Sequence, residues 1–245
     1  HIIIDLGASV VRVTGDGWTI TPEPDEIRFA RPATLRALPT PRPGGEGLEG
    51  LRQVINFSSD DDFILTCAWL LAALRPGYPY PLLVLTGEQG SAKSSATRIL
   101  RSLVDPHGED GRGVTRPPRD DRDLWAVAAG GHVLALDNLS SIGPDLSDSL
   151  SALATGAGLE QRRLYTDGEV AAIYARKPII LNGIGSSGSE IASRADLLDR
   201  ALCVNLTPIP DADRLPEQAL WPQVDTLAAS VLADLLDATA TALRR

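Results

Sequence analysis

The sequence predicts an α/β fold built on a parallel sheet with a phosphate-binding loop near its centre, and three observations predict it. First, the apolar run Leu82-Leu83-Val84-Leu85 leads into Thr86-Gly87-Glu88-Gln89-Gly90-Ser91-Ala92-Lys93-Ser94-Ser95, after which Ile99, Leu100, Leu103 and Val104 fall at helical spacing. A glycine-bearing loop between a buried strand and a helix N-terminus is where backbone N–H groups and the helix dipole converge on an anion. Second, later apolar runs end in polar residues, Asp137-Asn138 after 133–136 and Asn182 after 179–181. A strand buried on both faces reads as a continuous apolar run, and its C-terminal tip is where a parallel sheet presents side chains. Third, of the 23 basic residues only Lys93 and Lys177 are lysine. A chain that otherwise uses arginine keeps lysine at the loop position, where a compact ammonium fits better than a planar fork.

In that setting Gly87 and Gly90 let the backbone curl round an anionic oxygen, Lys93 reaches the β/γ-phosphates, and the Ser94 hydroxyl is placed for Mg²⁺. The nucleotide-binding set is therefore Gly87, Glu88, Gln89, Gly90, Ser91, Ala92, Lys93, Ser94 and Ser95. Ala92 stands where the strict pattern has glycine, so its backbone is expected to keep to a conformation an L-residue tolerates. The bland alternative is a glycine turn after any strand, and the flanking strand and helix argue against it. The Gly-x-x-Gly-x-Ala-Lys-Ser form resembles that of minichromosome maintenance helicases.

The elements follow in order. At 245 residues the chain is long enough for one α/β domain with small appendages. It has no methionine and opens on His1-Ile2-Ile3-Ile4, which reads as mid-strand and as a fragment of a longer protein. Runs 10–14 and 18–21 flank Gly15-Asp16-Gly17, a hairpin signal, and 27–30 reads as another extended piece. Three prolines and three glycines make 39–47 a linker, so 1–47 is expected to be a β-rich cap plus linker. Ser58 or Ser59 caps a nearly all-apolar helix whose first turn holds Asp60, Asp61 and Asp62; dipole complementarity explains those acids better than metal binding does. After the loop and its helix, 113–115 reads as a weak strand, 120–129 as a helix and 131–138 as an apolar strand delivering Asp137. Gly143-Pro144 opens the next helix. The pair Asp167-Gly168 between two β-prone runs predicts a hairpin. Runs 177–182 and 201–206 complete five core strands, and the tail reads as two helical pieces, 213–220 and 222–245. The expected domains are thus a cap at 1–47, a core at 48–210 and a helical lid at 211–245.

Composition excludes several classes. Two cysteines, Cys67 and Cys203, make no disulfide framework and fit a reducing cytoplasm. No signal peptide or 18-residue apolar run is seen, so no membrane partner is expected. A net charge of −9 argues against a simple nucleic-acid-coating protein, yet leaves room for a local ring of arginines.

The order of parts, five apolar strands with polar tips on the first, third and fourth, is similar to that of an AAA+ P-loop ATPase core over about residues 50 to 210. A hairpin just before the Asn182 strand marks the branch of superfamily 3 and minichromosome maintenance helicases. Leu153-Ala154-Thr155-Gly156, then Arg162-Arg163-Leu164-Tyr165, then Ile179-Ile180-Leu181-Asn182 resembles the C-terminal helicase part of phage- and plasmid-type primase-helicases. The resemblance implies ATP with Mg²⁺ as cofactors, Lys93 and Ser94 on phosphate and metal, Asp137 as the Walker B aspartate, Asn182 as sensor 1 and Arg200 as an arginine finger. It also implies a homo-oligomeric ring, such as a hexamer, with single-stranded DNA and an upstream primase domain as partners. Arg162 and Arg163 are the cations nearest the implied pore, with a solvated strand face as the equal alternative.

Two positions depart from the pattern. Asn138 stands where many AAA+ enzymes have a glutamate base, and an amide cannot take the proton; Glu88, Asp145 and Asp148 are unranked substitutes. The hairpin tip Asp167-Gly168-Glu169 is acidic where related helicases are basic. Three functions compete: an ATPase motor on DNA, a nucleotide-gated switch or assembly ATPase acting on a protein, and a small-molecule P-loop kinase. The kinase reading leaves the hairpin and Arg200 without roles.

Overall fold

The computed structural model describes residues 1–156, 158–162, 170–183 and 195–245. Near the N-terminus, β1 (Ile2–Asp5), β2 (Val10–Thr14) and β3 (Gly17–Thr21) form an antiparallel sheet in the order β1-β2-β3. The hairpin expected at Gly15-Asp16-Gly17 joins β2 to β3, with Thr14 opposite Gly17 and Gly17 at φ 137. The extended piece expected at 27–30 forms no strand. A 3₁₀ turn (Gly47–Gly50) then leads into the single helical turn α1 (Leu51–Val54).

In the core, α2 (Asp60–Ala73) starts at Ser59, whose hydroxyl accepts from Asp62 N–H at 3.2 Å. Asp62 is buried, and its carboxylate accepts from the Asn205 N–H at 2.7 Å and from Ser59 at 2.6 Å. Its role is thus to pin a helix start to a strand end. The chain continues through β4 (Leu82–Thr86), α3 (Lys93–Val104), α4 (Asp121–Ala129), β5 (Leu134–Leu139) and α5 (Pro144–Thr155). It then forms β6 (Gly158–Arg162), β7 (Val170–Tyr174), β8 (Ile179–Gly183), α6 (Ala195–Leu198), β9 (Ala201–Asn205) and α7 (Glu217–Leu243). β6 and β7 pair antiparallel from Gly158↔Tyr174 to Arg162↔Val170, the expected hairpin; its tip, with Arg163, Asp167, Gly168 and Glu169, lies outside the described residues.

The core sheet has four parallel strands in the order β5-β8-β4-β9. Five were expected. The segment 113–115 contributes only an isolated parallel bridge, Thr115 to Leu136, in which the Thr115 N–H donates to Ala135 O (2.9 Å) and its carbonyl accepts from Asp137 N–H (2.8 Å). With Gly113 on one side and Pro117-Pro118 on the other, the segment is too short and too interrupted to extend a ladder.

Strand alternation sorts the apolar side chains into two layers. Leu83 and Leu85 face α2, α3 and α7, whereas Leu82 and Val84 face α4, α5 and α6. That two-sided burial is why β4 reads as an unbroken apolar run. The tail differs from expectation: 217–243 is one helix, running through Pro222. Proline there costs one backbone hydrogen bond, but buried Leu220, Trp221 and Val224 hold the helix on the core across it. By length and composition alone α7 is long and apolar enough to cross a bilayer. In the fold its Val231 and Leu235 pack on the core while Leu232, Leu236 and Ala240 pack on the N-terminal sheet with Val11, Val13 and Leu38.

Candidate nucleotide site

The loop 86–95 leaves the C-terminal end of β4 and enters α3, so its backbone N–H groups lie where a helix N-terminus favours negative charge. Gly87 holds φ 146, and a Cβ there would stand 2.4 Å from the Leu206 carbonyl oxygen and 2.6 Å from Ser91 Oγ. Only glycine fits. Ala92 corrects the expectation for its backbone: it sits at φ 56, ψ 32, in the left-handed region that favours glycine. The strain is on the order of 1 kcal/mol.

The Lys93 ammonium donates to Gly87 O (2.6 Å), Glu88 O (2.8 Å) and Ser91 Oγ (3.3 Å), so the loop curls round a positive charge. Partial burial lowers the lysine's pKa by penalising its charged form. Ser91 is fully buried and donates to Glu88 O at 2.9 Å, which holds the loop closed. Glu88, Gln89 and Ser94 are exposed, and Ser95 is half-buried.

Three strand tips and one helix meet beside the loop. Ser94 Oγ donates to Asp137 Oδ1 at 2.7 Å, and Asn182 Nδ2 donates to the same oxygen at 2.8 Å. Asn182 is buried; it also donates to Thr97 Oγ1 (2.6 Å) and, through Oδ1, accepts from the Asn138 N–H (2.9 Å). Asn138 is exposed and left-handed at φ 64, where the β5–β8 register shifts between Leu136 and Leu139. Asparagine adopts that region more readily than other side-chain-bearing residues. Among the described residues, the two non-glycine positive φ angles, at Ala92 and Asn138, thus lie on either side of the Ser94–Asp137 bond.

Among the described residues no group of three or more His, Cys, Asp or Glu gathers as a metal site. Ser94 and Asp137 provide two oxygen ligands side by side, which suits Mg²⁺, an ion usually held by one or two protein oxygens together with phosphates and water. The pair fits a magnesium ion that arrives with a nucleotide.

Arg200 is exposed and lies elsewhere. Its carbonyl accepts from the Leu82 N–H at 2.9 Å, at the start of β4, whereas the loop leaves β4 at Thr86. Four residues of strand separate the two by roughly 13 Å. Arg162 ends β6, and Arg163 and the competing Arg194 lie outside the described residues. Asp145 lies in the first turn of α5, and Asp148 follows in the same helix.

Sequence reasoning missed Arg214. Its guanidinium lies over the 86–95 loop, Nη2 2.4 Å from where a Cβ on Gly90 would stand, while Nε donates to Ile209 O (3.2 Å) and Nη1 pairs with exposed Asp211 (2.9 Å). The Ile209 N–H in turn donates to Gly90 O at 3.1 Å. The available signal was topological: a strand parallel to β4 ends at the same edge of the sheet, so the segment leaving it passes the loop.

A family model described as Actinomycete integrative conjugative element replication protein (AICE RepA) matches residues 48–244. No curated protein sequence matches the chain. Two of the solved structures that match share the fold at a TM-score above 0.5. The A-form apo structure of the NrS-1 C-terminal region has a TM-score of 0.51 at 13% identity, covering 81% of this chain and 47% of that one. A second, of NrS-1 C-terminal region 305–718, has a TM-score of 0.52 at 12% identity, covering 83% and 51%. A JCV helicase with a bound small molecule aligns at a TM-score of 0.37 and 11% identity over 73% of this chain and 54% of that one, too distant to carry an argument. The chain spans about half the length of the NrS-1 chains it matches.

Proposed function

The chain belongs to the family of actinomycete integrative conjugative element replication proteins, and from that premise we propose that it is an AAA+ ATPase motor, the helicase part of a cytoplasmic replication protein. In this reading residues 48–210 are the ATPase core, 1–47 a cap and 211–245 a lid. The chain acts as a homo-oligomeric ring on single-stranded DNA, with a primase domain upstream. The observation that carries the proposal is the convergence of Ser94 and Asn182 on one carboxylate oxygen of Asp137 beside the Lys93 loop.

In this reading each residue takes the following role. The Lys93 ammonium, held by loop carbonyls here, would turn its hydrogen bonds to the phosphates of a nucleotide, which Gly87 and Gly90 would admit. Magnesium, when bound, neutralises charge on the phosphates; Ser94 and Asp137 would hold it. Asn182, buried with both its N–H donors on Asp137 and Thr97 and its oxygen on the Asn138 N–H, would serve as sensor 1 by keeping the Asp137 carboxylate oriented. Arg200, at the far end of β4, can serve only a neighbour's nucleotide, which requires the ring.

One observation favours a second reading. Asn138 supplies no base where a glutamate would, and its left-handed backbone gives the asparagine a structural reason to be there. A chain of pI about 4.8 that binds ATP and hydrolyses it slowly would suit a nucleotide-gated assembly switch acting on a protein partner.

The discriminating experiment measures ATPase rate with and without single-stranded DNA, together with particle mass in nucleotide, using Lys93→Ala as the background. DNA-stimulated turnover in a ring-sized particle is the outcome expected. Assembly with nucleotide but no response to DNA would favour the switch, and turnover equal to that of Lys93→Ala would overturn both.

A further inference from the structure

Of the chain's 23 basic residues only two are lysine, and the candidate nucleotide site uses Lys93 alone. Lys177 lies at the opposite end of the core sheet. It leads into β8, and its ammonium donates to the carbonyl of Gly131, which leads into β5. Asp137 and Asn182 are at the far tips of these same two strands.

Lys177 and Gly131 line a cavity of about 530 Å³, within the size range of small-molecule sites. The cavity lies between the N-terminal sheet and the core. β1 contributes Ile2 and Ile4, the ends of α2 and α3 contribute Leu74 and Val104, and the segment after β3 contributes Phe29 and Leu35.

The other charged groups that line it are already engaged. Asp5 accepts from Arg31 (2.6 and 2.9 Å) and from the Gly7 N–H (2.8 Å), and Arg31 also pairs with Glu23. Asp105 is buried, and its Oδ2 accepts from Arg101 (3.3 Å) and the Val133 N–H (2.9 Å). Arg36 is exposed and donates to the carbonyls of Ala33, Leu35 and Glu109. The His132 ring bonds to Ala73 O at 2.7 Å.

Lys177 differs. It is half-buried, and among the described residues no carboxylate pairs with it and Gly131 O is its one acceptor, which leaves two of three ammonium donors over. Burial lowers its pKa by penalising the charged form, and Asp105 acts more weakly in the opposite direction.

A half-buried ammonium with spare donors beside an apolar cavity complements an anionic group on an apolar body. The anion supplies the counter-charge that the ammonium lacks, and the body covers the apolar walls. One negative charge fits better than two, because Asp5 and Asp105 line the same space and repel a second. A carboxylate meets this condition and a phosphate monoester does not. Lysine also suits the position, since its slim ammonium leaves room that a planar guanidinium would fill.

We propose that the cavity lined by Lys177 binds a small monocarboxylate with an aliphatic or aromatic body, its carboxylate accepting from the Lys177 ammonium. The site is separate from the 86–95 loop, its occupant bridges β1 and the core, and it does not depend on the motor reading.

The test titrates anilinonaphthalene sulfonate, a fluorescent monoanion on an apolar body, into the full chain and then displaces it with octanoate or octylamine. One probe per chain is expected, displaced by octanoate and not by octylamine. Lys177→Met removes the charge at similar side-chain length and should weaken the probe about tenfold, the scale of one lost charge-assisted hydrogen bond. Loosened protein binds this probe more strongly, so weaker binding by Lys177→Met does not reflect lost folding. Lys93→Ala should bind the probe as the wild type does, which separates the cavity from the nucleotide site. Absence of stoichiometric binding, equal displacement by octylamine, undiminished binding in Lys177→Met or lost binding in Lys93→Ala each overturns the assignment and leaves the motor reading standing.

Discussion

Replacing Asn182 by Asp keeps the size and shape of the side chain but removes its two N–H donors and places a second carboxylate against Asp137. In the native structure the amide nitrogen lies 2.8 Å from Asp137 Oδ1, in a buried position. Two full charges at that distance would repel by roughly 6 kcal/mol at an effective dielectric of about 20. Folding avoids this by keeping a proton on the introduced carboxyl, which raises its folded-state pKa well above an ordinary aspartate's. The sign follows: below the ordinary aspartate range both states hold the proton and the substitution has no pH-dependent cost, whereas above it the unfolded chain releases a proton that the folded chain retains. The cost grows by about 1.4 kcal/mol per pH unit, reaching about 4 kcal/mol at pH 7 and about 1.5 kcal/mol at pH 5. Urea unfolding in EDTA at both values, with wild type in parallel, measures it. Asn182→Ala serves as the control, since it loses the same donors without adding charge and should cost the same at both pH values. Added Mg²⁺ should recover part of the Asn182→Asp loss, because a cation between the carboxylates removes the repulsion. A destabilisation by Asn182→Asp that is equal at pH 5 and pH 7 would refute the geometry on which the candidate site rests.

Three further outcomes are expected. Ala92→Gly relieves a left-handed alanine at φ 56 and should raise stability by about 0.5 to 1 kcal/mol in thermal or urea melts; a loss of stability would mean that the loop does not hold that conformation. Arg214→Ala removes the guanidinium beside Gly90 and should weaken ATP binding by about tenfold, the scale of a lost charge-assisted hydrogen bond of about 1.5 kcal/mol. Asp211→Ala, which removes only its exposed partner, should not weaken ATP binding; isothermal titration of both variants decides, and equal losses would reduce Arg214 to a tether for its own segment. Arg200→Ala should bind nucleotide normally and hydrolyse poorly, and mixing it with inactive Lys93→Ala should restore some turnover. Full activity of Arg200→Ala alone would remove the finger.

Several parts of this protein were legible from local pattern alone. Leu82 to Leu85 are buried on both faces, so their strand had to be a continuous apolar run, and the glycines after it announced a loop that no side-chain-bearing residue could follow at Gly87. The cap at Ser58 or Ser59 and the proline opening α5 were visible because unpaired N–H groups at a helix start select a short list of residue types. Lys93, Ser94, Asp137 and Asn182 were nameable one by one. Their meeting was not, since Asp137 and Asn182 are far apart in sequence and become neighbours only because β8 inserts between β5 and β4. Periodicity reports which face of an element is buried; it carries no information on which strand lies beside which, because that is set by non-local pairing and by the summed packing of both helical layers. For the same reason only the tertiary structure put Ala92 and Asn138 in left-handed backbone, reduced 113–115 to one bridge at Thr115 and laid Arg214 over Gly90. The tail shows the contest most directly. The tail read as two helical pieces, 213–220 and 222–245, whereas the burial of Leu220, Trp221 and Val224 against the core outweighs the single backbone hydrogen bond that Pro222 removes and keeps one helix.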